Sequence, residues 1–158
     1  MENDFYEIES FRPCVSLGYL LRRLDKLGAN RIERAFDGSD ITFTQWAVLA
    51  LIWASTADTC SGLARNLDHD AGAMTRVLDQ LEERGYIVRT RDPADRRVTK
   101  LTLPDAGYKM LVKLAATVVD EWNMILSVFA REEIVQLINT LTKLLQRMEA
   151  LEEEEGRA

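Results

Sequence analysis

Histidine occurs once in these 158 residues, at His69, and cysteine twice, at Cys14 and Cys60. With no C-x-x-C pair and no second histidine, neither a disulfide framework nor a Cys/His zinc site is expected, and the two thiols read as free and buried. The same scarcity bears on catalysis. There is no glycine-rich phosphate loop, no nucleophile elbow and a single imidazole to act as base, so an enzyme is not expected, nor a metal or a cofactor. Long apolar runs are also missing: the longest, from Trp46 to Ala54, falls far short of the ~20 residues a membrane span needs. The first ten residues, MENDFYEIES, lack the basic and apolar regions of a secretion signal. A cytoplasmic protein without a membrane partner is therefore expected.

Net positive charge is missing as well, since 20 basic residues face 26 acidic ones and leave a net charge of −6. The deficit is uneven. Residues 1–59 carry −3, residues 60–109 carry +1 and residues 110–158 carry −4, while the short piece 84–100 alone reaches +4. Six cations, Arg84, Arg89, Arg91, Arg96, Arg97 and Lys100, are set there against Asp92 and Asp95. A confined basic patch on an acidic body suits a nucleic-acid contact whose remainder is kept away from phosphates.

The length suits one compact fold, burying roughly 70% of its unfolded surface. Leu17, Leu20, Leu21, Leu24, Leu27 and Ile32 follow the stripe of an amphipathic helix, which predicts a first helix over about 11–36. Thr42-Phe43-Thr44-Gln45 fits a capping box opening a second helix to about 55, whose run WAVLALIWA predicts enclosure on most sides. Two short helical patterns follow at about 59–67 and 71–84, with Asp70 as N-cap and Gly85 as terminator of the second. Their tight link predicts a helix-turn-helix. YIVRTR and VTKLTL then flank residues 92–97 as a β-hairpin with a basic loop. Helix returns from about 105, with Met110, Leu111, Leu114, Val118, Trp122 and Leu126 on one stripe. The last segment, Ile134, Leu137, Ile138, Leu141, Leu144, Leu145, Met148 and Leu151, approaches a coiled-coil spacing. This apolar surplus points to a homodimer.

Three pieces taken in order carry a family resemblance: Thr75-Arg76 with Leu81-Glu82-Glu83-Arg84-Gly85, Asp92-Pro93-Ala94-Asp95-Arg96-Arg97, and the T-x-x-Q opening the second helix. Together they resemble the MarR family of winged helix-turn-helix transcriptional regulators over about residues 11–152. The sequence departs from the family where Leu103-Pro104-Asp105-Ala106-Gly107 lacks the threonine that usually caps the next helix, and where Ala71-Gly72-Ala73 lacks a polar side chain. The implied fold is mainly α with a small β-hairpin wing. A winged helix-turn-helix over 37–104 would be joined to helical dimerisation regions over 1–36 and 105–158.

The resemblance implies a sequence-specific regulator, a repressor that binds double-stranded DNA as a homodimer on a pseudo-palindrome and is released by a small, phenolic effector. Ala71, Gly72, Ala73, Thr75 and Arg76 would enter the major groove, which admits an α-helix. Arg89 and Arg91 on the strand, with Arg96 and Arg97 at the tip, would meet phosphates and the minor groove. Asp92 or Asp95 would brace one arginine so that the other projects. Tyr19, Phe43, Trp46 and Trp53 would line the effector pocket, or serve only as core. His69, before the reading helix, could touch a phosphate or be an ordinary surface residue. Two other readings are a winged helix used for protein contacts and a redox-sensing regulator using Cys14. The first has no need of a +4 wing.

Overall fold

The computed structural model describes residues 5–93, 95 and 97–156. Six helices and one hairpin follow in order: α1 Leu17–Ala35, α2 Phe43–Trp53, α3 Cys60–Asn66, α4 Ala71–Glu83, β1 Val88–Arg91, β2 Thr99–Thr102, α5 Asp105–Leu126 and α6 Arg131–Glu155. The architecture is the mainly helical one expected, with a two-stranded antiparallel sheet as its wing.

Each helix boundary has a local cause. Helix α1 begins at 17 rather than 11, because Pro13–Val15 forms a separate 3-10 turn and Ser16 Oγ then accepts the Tyr19 amide. The Tyr6 hydroxyl accepts the Leu17 amide at 2.8 Å, satisfying a second of the helix's orphan donors. At α2 the expected capping box is present: Thr42 Oγ1 accepts from Gln45 N, and Gln45 Oε1 accepts from Thr42 N. No residue from Phe43 to Ile52 is exposed, as the apolar run implied.

The turn between α3 and α4 is built on Asp68, whose φ of +50° is the left-handed conformation that Asp tolerates better than most side chains. Its neighbour His69 donates its amide to Ala64 O, closing the end of α3 one residue before Asp70 caps α4. Helix α4 ends in the same way: Gly85, at φ +72°, donates to Glu82 O, and Tyr86 donates to Leu81 O. The chain thus leaves the helix directly into the wing.

In the hairpin, Arg89 lies opposite Leu101 and Thr90 opposite Lys100. Leu101 is the strand residue turned into the core, and its amide donates to Asp58 O, fastening β2 to the segment before α3. The core is made by Ile32 of α1, Val48 and Leu49 of α2, Leu63 of α3, Met74, Leu78 and Leu81 of α4, Ile87 and the first half of α5. Gly107 is where α5 passes close to Tyr86 and Leu103, on either side of the hairpin. A Cβ there would stand 2.0 Å from Tyr86 O and 2.8 Å from Leu103 Cδ1, so only glycine fits.

Two compact units result, one reaching Val118 and one from Val119 onward. Ile32, Phe36, Met110, Leu111 and Leu114, from the two regions expected to dimerise, lie in the core of the first unit. In the second unit α6 has no buried residue, although Glu133 closes its first turn by accepting the Ala130 amide. Among the described residues no helix is long and apolar enough to cross a membrane.

Candidate nucleic-acid interface

Helix α4 starts on a carboxylate. Asp70 Oδ1 accepts the Ala73 amide at 2.8 Å, and that hydrogen bond holds the carboxyl below its usual range against a smaller opposing effect of burial. The Gly72 amide and the positive charges of Arg76 and His69 act in the same direction as the Ala73 bond. Ala71 and Gly72 are exposed and Ala73 is half-buried, so the first turn presents mostly backbone. Thr75, expected to offer its hydroxyl to bases, donates it to Ala71 O at 2.8 Å. With that proton committed, the oxygen is left as an acceptor only.

Arg76 is exposed and makes no hydrogen bond or ion pair with another described residue. Its nearest acids in sequence are committed elsewhere. Asp79 and Glu82, one helical turn apart, both hold Arg89 of β1, at 2.7 Å and 2.9 Å from its Nη1. Arg89, expected to face DNA, thus turns its guanidinium onto α4, with only 27% of its side chain accessible. Nothing in the order of residues announced this pairing. The Asp79/Glu82 spacing showed one acidic helix face but not which cation would meet it.

At the tip of the wing the acids organise backbone. Asp92 Oδ1 accepts the Asp95 amide and Asp95 Oδ1 accepts the Arg97 amide, while Asp92 N donates to Val98 O and Val98 N to Asp95 O. Asp95 therefore fixes Arg97 through the main chain, while Arg96, the other arginine expected to be braced by Asp92 or Asp95, lies outside the described residues. Lys100 stands 3.5 Å from both Asp58 and Asp92, and these two carboxylates, Asp58 foremost, raise its pKa. Arg91 and Arg97 are exposed and their side chains make no hydrogen bond or ion pair with another described residue. Ala94 and Arg96 lie outside the described residues.

Helix and wing border one hollow of about 290 Å³, lined by Cys60 of α3, Thr75 and Leu78 of α4, Arg89 of β1, and Thr99 and Leu101 of β2. Cys60 is half-buried with its Sγ 3.7 Å from Thr75 Oγ1, and Cys14 is exposed. The expectation of two buried thiols therefore fails, because Cys14 sits in the solvent-facing turn before α1 and not on a packed helix face. His69 is exposed, its Nδ1 against Leu67 O.

The four aromatics expected at an effector pocket divide. Phe43 and Trp46 stack at 5.9 Å, both edge-on to Phe36, and Trp46 Nε1 donates to Leu111 O at 3.0 Å. Those two are partly buried and pack against the core. Tyr19 and Trp53 are 46% and 61% exposed. A cavity of about 710 Å³ lies elsewhere, at the join of α1, α2 and α4, and none of the four lines it. There the capping residue Gln45, 3% exposed, donates to Gln80 of α4, and Arg84 donates to Asp40 O. These ties were not foreseen.

Residues 41–99 match the model of the MarR family. Among solved structures, apo MarR from E. coli is 26% identical with a TM-score of 0.72, over 83% of this chain and 98% of that one. A cysteine-to-serine mutant of the same protein complexed with operator DNA is 26% identical with a TM-score of 0.68, over 83% and 94% of the two chains. CouR from Rhodococcus jostii RHA1, bound to p-coumaroyl-CoA, shares the fold at 24% identity and a TM-score of 0.70, over 85% and 95%. With the capping box, the helix-turn-helix and the acid-organised wing in their places, residues 41–99 are similar to the MarR family and the chain shares the winged helix fold of MarR from E. coli.

Proposed function

We propose that this protein is a cytoplasmic, sequence-specific DNA-binding transcriptional regulator, not an enzyme, that acts as a homodimer. The observation that carries the reading is electrostatic. On a chain of net charge −6, Arg76 of the reading helix and Arg91 and Arg97 of the wing are held exposed without a side-chain hydrogen bond or ion pair to another described residue. Unneutralised guanidinium groups beside a helix whose first turn is Ala-Gly-Ala suit a duplex: the short side chains let the backbone approach the base edges, and Arg97 enters the minor groove. Arg96 is assigned the same role by its place in the wing. MarR of E. coli, in mutant form, has been solved with operator DNA.

A second copy completes the reading. Leu17, Leu20, Leu24 and Leu27 of α1 and Leu137, Ile138, Leu145 and Met148 of α6 are large apolar residues left exposed in one chain. Covering them in a twofold dimer gives two reading helices about one DNA turn apart, hence a pseudo-palindrome with half-sites roughly 10 base pairs apart. The regulator is a repressor, released by a small phenolic ligand for which exposed Tyr19 and Trp53 offer rings; CouR holds p-coumaroyl-CoA. Such a ligand acts by binding the DNA-competent and incompetent spacings unequally.

Anisotropy titration of a labelled duplex from beside the protein's own gene, at several salt concentrations, tests the proposal. Arg76→Ala and Arg97→Ala should each weaken binding and lower the slope of log affinity against log salt by about one unit per lost phosphate contact. Unchanged affinity and slope in both variants would reject it.

A further inference from the structure

We propose that Arg89 does not touch DNA but is the positioning residue that fixes the wing to the reading helix, so that both engage one duplex as a single rigid unit. The inference rests on the reading of α4 and the wing as a DNA interface, and deepens it. Three observations carry it. Arg89 Nη1 bridges Asp79 and Glu82 at 2.7 Å and 2.9 Å, both acids standing on one face of α4. Arg89 is half-buried, whereas Arg91, two residues along the same strand, is exposed and makes no ion pair with another described residue. The contact lies across the hollow that Thr75 and Leu78 of α4 share with Thr99 and Leu101 of β2, where Arg89 is the group joining helix to hairpin by charge.

The wing needs such a tie. A two-stranded hairpin is marginal alone, and this one is held otherwise by Leu101 in the core, its amide on Asp58 O and the Lys100–Asp58 ion pair, all on β2, and by buried Ile87 just before β1. Arg89 is the matching anchor on β1. Without it the tip could swing relative to α4, and the arginine there would pay an ordering cost on each binding event.

Charge alone and the brace make opposite forecasts for the acids. Removing two negative charges from a DNA-facing helix should tighten binding if they merely repel phosphate and if Arg89, once freed, can reach DNA. The brace expects the reverse. The double variant Asp79→Asn/Glu82→Gln should weaken binding on the order of tenfold, as Arg89→Ala should, within the range of coupled neighbours. In Arg89→Ala the salt slope should stay at the wild-type value, whereas a lost phosphate contact would lower it by about one. Arg89→Lys should recover most of the loss, since both contacts come from one nitrogen and an ammonium has three donors.

A double-mutant cycle and an exchange measurement close the test. Arg97→Ala should cost markedly less in the Arg89→Ala background than in the wild type, because an unplaced wing has less to lose. Amide exchange over residues 88–102 of the free protein should quicken in Arg89→Ala, with α2 unchanged. Tighter binding by the acid-neutralised variant, or wing exchange as slow as in the wild type, overturns the brace. If Arg97→Ala binds as the wild type does, the wing's DNA contact fails instead, and the exchange result still decides whether Arg89 positions it.

Discussion

Leucines of α4 and leucines of α6 meet opposite fates. In the winged unit Leu78 and Leu81 are at most 1% exposed, and their neighbours from α2, α3, β2 and α5 leave that core complete within one chain. In the unit from Val119 onward, α6 runs 25 residues with none buried, and Leu137 and Leu145 are both more than half exposed. The helical periods are similar, yet one set is spent on this chain and the other is kept. A stripe that one chain leaves uncovered is what the proposed second copy would cover, whereas the winged core is a stability element that a partner need not supply.

Substitutions can break that comparison at either end. The largest effect is expected at Leu49→Ala, fully buried between helices, which should cost about 2–5 kcal/mol of unfolding free energy in denaturant titration. Gly107→Ala should come next, at ~1–3 kcal/mol, because the added methyl meets the Tyr86 carbonyl and α5 must move from the wing. Leu145→Asp should leave the winged unit's own unfolding within about 0.5 kcal/mol of wild type while halving the mass found by light scattering. An unchanged mass would show that this stretch of α6 is not the dimer seam.

The smallest effect separates cap from charge. Asp70→Asn should hardly alter stability at neutral pH, since Asn caps a helix about as well as Asp. The folded-state pKa of Asp70 is lowered, so its contribution is in place above the ordinary carboxylate range and drains away as pH falls through the folded value. The variant's acid unfolding should therefore lose that share of its pH dependence, as followed by helical circular dichroism.

Much of this was legible in the residues. Thr42 and Gln45, Asp70 and Gly85 are local signals, acting within a turn of chain, and each stands where its spacing put it. The hairpin was legible from its β-branched strands, although its ladder is shorter than the run, because Tyr86 serves the end of α4 and Leu103 precedes Pro104. Partnership across elements was not legible. Arg89 could have met phosphate or acid, and only the approach of β1 to α4 chose Asp79 and Glu82. Trp46 likewise reads from sequence as pocket or core until its N–H is seen on Leu111 O. The start of α1 differs because the apolar stripe says nothing of Pro13, which opens a separate 3-10 turn before Ser16 caps the helix.

The central claim is that exposed arginines on the reading helix and the wing bind one duplex together. Selection from a random duplex pool with the full-length protein, followed by titration of the enriched sequence from low to moderate salt, tests it most directly. The expected result is a dyad with centres roughly 10 base pairs apart and an affinity falling steeply with salt. A pool that never enriches, or binding indifferent to salt, would contradict it.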